Sequence, residues 1–119
     1  MKGFKFMKRD ANGYKLHQSG KKTWRNSAGQ CHRTDGPAKE YADGDKAWYF
    51  NNQRHRTDGP AVEYVNGDKE WWVNGQPHRT DGPAVERANG GKEYWYEGER
   101  ISKKKYYSKE FQVCMVMEG

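Results

Sequence analysis

The chain is short of aliphatic residues: Leu, Ile, Val and Phe together number 12 among 119 residues. Globular domains carry roughly 20% or more of these four, and such depletion beside a high charge content is the composition of a disordered chain. A thick aliphatic core is therefore excluded. No run of about 18 apolar residues occurs, which excludes a helical membrane span. Only two cysteines are present, Cys31 and Cys114. They are too few for a disulfide scaffold, and their spacing fits no zinc motif, so reduced thiols and a cytoplasmic location are expected. The opening residues MKGFKFMKRD have no apolar stretch of the secretory type. No glycine loop of the nucleotide-phosphate kind is found.

Aromatic residues are abundant. Five Trp, eight Tyr and four Phe make 14% of the chain, and disordered chains are poor in these. A thin, aromatic-rich sheet is the architecture left open. The net charge of +6 is unevenly placed. Residues 1–25 hold eight basic groups and one acid, whereas residues 26–100 hold ten basic and thirteen acidic groups. The basicity thus belongs to the N-terminal segment, and a nucleic-acid surface spread over the whole domain would place it in the body.

The body is a repeat. HRTDGPA stands at His32–Ala38, His55–Ala61 and His78–Ala84, each 23 residues after the last. Residues 32–54 and 55–77 agree at 15 of 23 positions, as do 55–77 and 78–100. A period of this length signals stacked supersecondary units that bury their faces against one another. Each unit predicts a β-hairpin. In the middle copy, Ala61–Val65 is a β-prone run, Asn66-Gly67 a two-residue hairpin signal, and Lys69–Val73 the return strand. Asn74-Gly75 turns the chain again, His78-Arg79-Thr80 is extended, and Asp81-Gly82-Pro83 makes the next corner. After Ile101, Ser102 is a good N-cap for a helix reaching about Val116, with Tyr106, Tyr107, Phe111, Cys114 and Met115 as its apolar stripe.

These signals predict an all-β fold: a single elongated, twisted antiparallel sheet of repeated hairpins with a short C-terminal helix. The whole chain, 1–119, is read as one repeat domain. It divides into a basic capping segment 1–19, a degenerate repeat 20–31, repeats 32–54, 55–77 and 78–100, and a helical cap 101–119. In the degenerate copy Trp24 lies eight residues before His32, where later copies have seven.

The body resembles the MORN repeat superfamily, whose units are also 23-residue hairpins. It is most similar to the variant with W-x-x-N-G-x-x-H-R-x-D-G-P-A units. That pattern stands here as Trp71, Asn74, Gly75, His78, Arg79, Asp81, Gly82, Pro83 and Ala84, and with Asn52 for Gly from Trp48 to Ala61. The resemblance covers roughly residues 20–110. It implies an elongated sheet used as a scaffold or interaction surface. Such units are common in small phage and viral proteins, so the resemblance also implies a phage accessory protein.

Strand alternation sorts the aromatics into two columns. Trp48, Trp71 and Tyr94 share one repeat position, and Tyr49, Trp72 and Trp95 share the next. Each column is either sheet core, standing in for the missing aliphatics, or a platform for a partner. The repeated His, Arg and Asp have the chemistry of a base, an anion clamp and an orienting acid. Catalysis, however, needs one asymmetric site, and this chain carries three near-identical copies. Asp-Gly-Pro also has structural work as a rigid corner, with Gly expected to supply positive φ. Arg33, Arg56 and Arg79 sit two residues before Asp35, Asp58 and Asp81, and that spacing, or the stacked neighbour, suits a ladder of arginine–carboxylate pairs between units. Equivalent His32, His55 and His78 stand about 9.6 Å apart in such a stack, too far to share a zinc ion with ligand bonds near 2.0 Å. No metal or cofactor is expected, and no enzymatic activity.

The expected function is protein binding by a non-enzymatic repeat module, encoded by a phage and inhibiting a host defence factor in the host cytoplasm. The alternative is a binder of nucleotides or nucleic acid through aromatic stacking and basic groups. The interface candidates are Arg33, Arg56, Arg79, Tyr49, Trp72, Trp95, His32, His55 and His78. The arm Lys2, Lys5, Lys8 and Arg9 is a capping strand or a contact for an anionic surface. Homo-oligomerisation stays open.

Overall fold

A computed structural model describes residues 13–118. The arm Lys2, Lys5, Lys8 and Arg9 lies outside the described residues. Among those described, nine short strands form one open antiparallel sheet. In spatial order they are Tyr14–Leu16, Lys22–Trp24, Lys39–Glu40, Lys46–Ala47, Val62–Glu63, Lys69–Glu70, Val85–Glu86, Lys92–Tyr96 and Glu99–Ile101. Spatial order equals chain order, as in a meander. Two further hairpins, Tyr49–Phe50 with Gln53–Arg54 and Trp72–Val73 with Gln76–Pro77, leave the sheet and return.

Each unit thus contributes two hairpins, with different turn chemistry. The sheet hairpin closes at Tyr64 and Asp68, whose N–H···O bond spans 2.9 Å, and only Gly67 has positive φ. That is a three-residue loop, a type I turn followed by a left-handed glycine. The expected two-residue turn at Asn66-Gly67 is corrected accordingly. The two-residue turn falls instead on the second hairpin, where Asn74 (φ 51°) and Gly75 (φ 78°) both lie in the left-handed region. Asn51-Asn52 and Glu97-Gly98 repeat it. In the first unit the second hairpin closes over Asn26–Gln30 with one residue more. That accounts for the eight-residue spacing between Trp24 and His32.

The return strand expected over Lys69–Val73 is split at Trp71. Its N–H donates to Ala84 O of the next unit, while its carbonyl accepts from His78 N of the second hairpin. One residue thus serves two ladders, and the strand turns between them. Trp48 does the same with Ala61 and His55. In the last unit no further unit follows, and Lys92–Tyr96 runs unbroken. The first sheet hairpin begins at Tyr14, within the segment read as a cap, so hairpin geometry reaches further back than the sequence match.

Ala38, Ala61 and Ala84 are fully buried, with Ala47, Val62 and Val85 beside them. The best-buried positions are thus small residues between strands, and most aromatics are only half-buried. A second cluster sits at the C-terminal end: Tyr94, Tyr106 and Met115, flanked by Tyr96, Ile101 and Phe111. The expected single helix over 103–116 is two: α1, Lys103–Tyr106, and α2, Lys109–Glu118. Ser102 Oγ caps α1 by accepting from Lys105 N. Ser108 Oγ accepts from Phe111 N, which caps the start of the second helix. Of the expected stripe, Cys114 is exposed, and Tyr107, though also exposed, still sets its ring edge-on against Tyr94. Both cysteines are free.

Candidate binding surfaces

The HRTDGPA corner is built around its arginine. Arg56 Nε donates to Asp58 Oδ1 at 3.0 Å, and Nη1 donates to Pro60 O at 3.0 Å and Glu63 Oε2 at 3.2 Å. Arg33 and Arg79 repeat all three contacts. The carboxylate partners therefore lie within each unit, which corrects the expected ladder between units. What crosses between units is a stack. The guanidinium carbon of Arg33 lies 3.8 Å from the ring centroid of Trp24, that of Arg56 3.9 Å from Trp48, and that of Arg79 3.8 Å from Trp71. A planar guanidinium is suited to hold both a ring face and a carboxylate fork. The arginine side chains are only 19–22% exposed.

The glycine of the corner is explained by the same arginine. Gly36, Gly59 and Gly82 do not have positive φ. A Cβ placed on them would lie 2.9–3.0 Å from the guanidinium carbon of Arg33, Arg56 or Arg79. A side chain there would crowd the guanidinium that the corner holds in place, so close approach, and not positive φ, is what sets these glycines apart.

The histidines hold turns. His32 Nδ1 accepts from Asn51 N, His55 Nδ1 from Asn74 N and His78 Nδ1 from Glu97 N, at 2.9–3.1 Å. Each acceptance requires an unprotonated Nδ1. Each also fixes the left-handed turn of the hairpin that follows its histidine. Among the described residues no group of three or more His, Cys, Asp or Glu is placed to hold a metal ion.

The two aromatic columns have different fates. Trp48 and Trp71, joined by Trp24, lie under arginines. Tyr94 at the same position is covered by Tyr106 and Tyr107, with centroids at 4.9 and 5.4 Å. The other column, Tyr49, Trp72 and Trp95, lies on the second hairpins and is half-buried. Its cross-strand partners are Arg54, Pro77 and Arg100. Trp72 Nε1 donates to Glu70 and Trp95 Nε1 to Glu93, at 2.9 and 3.0 Å. The indole of Trp95, and then Arg87, hold the Glu93 carboxyl below its usual range against the opposing effect of burial. Lys39 Nζ stands 4.7 Å from the Tyr49 centroid and Arg54 Cζ 5.0 Å from that of Trp72. Arg54 Nε is buried with no hydrogen-bond partner. Sequence reasoning missed Lys39, Arg54 and Arg100; the two-residue turns, read as a hairpin register, pair Arg54 with Tyr49 and Arg100 with Trp95.

Between successive corners lie two equivalent grooves. The first, of 620 Å³, runs between Asp35 and Asp58 over Trp48 and Phe50. The second, of 540 Å³, runs between Asp58 and Asp81 over Trp71 and Val73. No helix among the described residues is long and apolar enough to cross a membrane. No protein-family model, curated protein or solved structure matches the chain.

Proposed function

We propose that the chain is a non-enzymatic repeat module that binds another protein, and that Tyr49, Trp72 and Trp95 form the contact row. The observation that carries this reading is the contrast between the columns. One is stacked at each step under a fixed arginine of the next unit or packed by the C-terminal helices, while the other, half-buried like Trp48 and Trp71, stands on the second hairpins with Arg54 and Arg100 as cross-strand partners of Tyr49 and Trp95. Trp, Tyr and Arg most often dominate interface energy, because they bury large area or bond in forks at modest entropic cost. The arginines of the corner, Arg33, Arg56 and Arg79, then hold the units together and contribute little directly. The MORN resemblance supports a phage origin, and an inhibited host factor is added by analogy to complete the proposal.

Nucleic acid is the second reading, favoured by the pairing of Tyr49 with Lys39 and of Trp72 with Arg54 along the same row. Glu70 and Glu93, which hold the indole N–H groups, weigh against it. Capture from lysate of the source cells on immobilised protein tests both. Trp72→Ala and Trp95→Ala are expected to release the captured protein with an unchanged far-ultraviolet spectrum. Capture that survives both substitutions refutes the row as the contact surface. A 260/280 nm absorbance ratio raised by co-purified nucleotide establishes the second reading.

A further inference from the structure

We propose that the return strand of the third unit takes up an extended acidic segment of a partner protein as an additional strand, along the open sheet edge at Lys92 and Glu93. The site lies beside the C-terminal helices, and the proposal does not depend on the Tyr49, Trp72 and Trp95 row.

The edge is open because the stack ends there. In each earlier unit the return strand pairs on its far side with the unit that follows: Lys46 with Glu63 and Ala47 with Val62, then Lys69 with Glu86 and Glu70 with Val85. Lys92 and Glu93 pair with Glu86 and Val85 on the near side. The onward hairpin to Ile101 begins only at Tyr94, and the C-terminal helices pack on the Tyr94 ring. Among the described residues no strand lies on the far side of Lys92 and Glu93. The bond from Arg87 N to Gly91 O, at 2.8 Å, closes the third sheet hairpin. Bonded and non-bonded pairs alternate along an antiparallel ladder, so Lys92 turns its own N–H and C=O away from Glu86, toward the open side.

A cleft of 640 Å³ runs along this edge. Strand alternation places Lys92, Tyr94 and Ile101 of its lining on one face of the sheet and Glu93 and Arg100 on the other, with Lys103 at the start of α1. Three cations thus stand against one carboxylate, and that carboxylate already accepts from Trp95 Nε1 and from Arg87. Lys92, Arg100 and Lys103 are exposed, and among the described residues none of them makes a salt bridge. The cross-strand row explains the excess. Lys46 stands between Glu40 and Glu63, and Lys69 between Glu63 and Glu86. Lys92 has Glu86 alone, so the row ends one carboxylate short.

The chain itself shows what fits. Val62-Glu63 and Val85-Glu86 are the strands seated on the equivalent edges, and each sets its glutamate opposite the lysine. Strand addition takes its affinity from main-chain bonds and its selectivity from alternate side chains. Gly91 stands where Asp45 and Asp68 accept from the following unit's backbone at Val65 and Ala88. The third unit thus lacks that tie, and charge is the grip left to it. A second copy joined edge to edge would set two such groups of cations against each other, and like charges directly opposite are destabilising. An acidic strand from another protein meets neither obstacle.

The probe is acetyl-Gly-Pro-Ala-Val-Glu-Tyr-Val-amide, the sequence of residues 59–65. One control peptide has glutamine in place of the glutamate. A second carries a methyl group on the glutamate nitrogen, which removes the donor to the Lys92 carbonyl. On the unaltered protein, the probe is expected to shift the amide resonances of residues 91–93 and to spare those of Lys69 and Glu70. Each control is expected to bind about tenfold more weakly, one for want of a charge-assisted contact and the other for want of a main-chain bond. Lys92→Glu, with an unchanged far-ultraviolet spectrum, should lose the probe and take up a peptide with lysine in place of the glutamate. Trp72→Ala should leave binding unchanged. Absence of binding, shifts centred elsewhere, or equal affinity for either control would each overturn the proposal. Loss of the probe in a folded Trp72→Ala protein would also overturn it. None of these results bears on capture of a protein by the aromatic row.

Discussion

Arg56 meets a ring, a carboxylate fork and a glycine at once, and each contact excludes a different substitute. Lysine offers no plane to lie on Trp48, and a side chain at Gly59 would meet the guanidinium at 3.0 Å. If close approach is the reason for the glycine, its effect must depend on the arginine. Gly59→Ala is expected to destabilise by about 1–2 kcal/mol, the ordinary cost of overpacking. In an Arg56→Ala background most of that cost should vanish, giving a coupling energy of about 1 kcal/mol in a double-mutant cycle followed by thermal unfolding. Additive effects would place the strain in the backbone instead. The DGPA signature was legible as a corner in sequence. The reason for its glycine was not, because the path of the long arginine side chain is set by its stack on the tryptophan of the preceding unit and by the carboxylates it holds.

Among the elements, the C-terminal helices do for the last unit what a fourth unit would have done. Tyr106 takes the place of the next arginine over Tyr94, and Phe111 packs edge-on against Tyr96, 5.3 Å between centroids. The Tyr106 hydroxyl also donates to Arg79 O and accepts from Gly82 N, closing the third corner. Tyr106→Phe keeps the ring and removes the partner of the buried Gly82 N–H and of the part-buried Arg79 carbonyl. A loss of roughly 1–2 kcal/mol is expected, the cost of unsatisfied polar groups. Hydrogen exchange should then quicken at Ala84–Tyr94 before it does in the first unit. Uniform quickening along the chain would mean that Tyr106 is not a local cap. Ser102 announced the start of this cap in the sequence. Ser108 is less visible, because a serine inside a helical run becomes an N-cap only when packing bends the chain there.

At the scale of the molecule, contacts run between neighbours. The radius of gyration is 16.9 Å and the extents are 60 × 31 × 19 Å. A compact chain of this length would have a radius near 13.5 Å. Such a stack gains stability unit by unit, through each unit and its interfaces. Duplicating residues 55–77 in place is expected to raise the melting temperature and to lengthen the particle by about 9.6 Å in solution scattering. Deleting the same residues should shorten it equally and leave a folded, less stable protein. A duplicate that collapses to a compact particle would contradict the linear stack.

The sequence by itself determined the repeat, its period, the all-β class and the place of the helical cap. These depend on local chemistry: turn residues, strand formers and an N-cap act over a few positions, and 23-residue identity copies them along the chain. Tertiary structure alone decided which aromatic column is covered. Trp71 and Trp72 are alike in sequence, and alternation only says that they point apart. What separates them is that Trp71 N–H bonds forward to Ala84, which lays the Arg79 guanidinium across its ring, while Trp72 departs on the second hairpin. That choice depends on the fit of one unit against the next, a contact no single unit specifies.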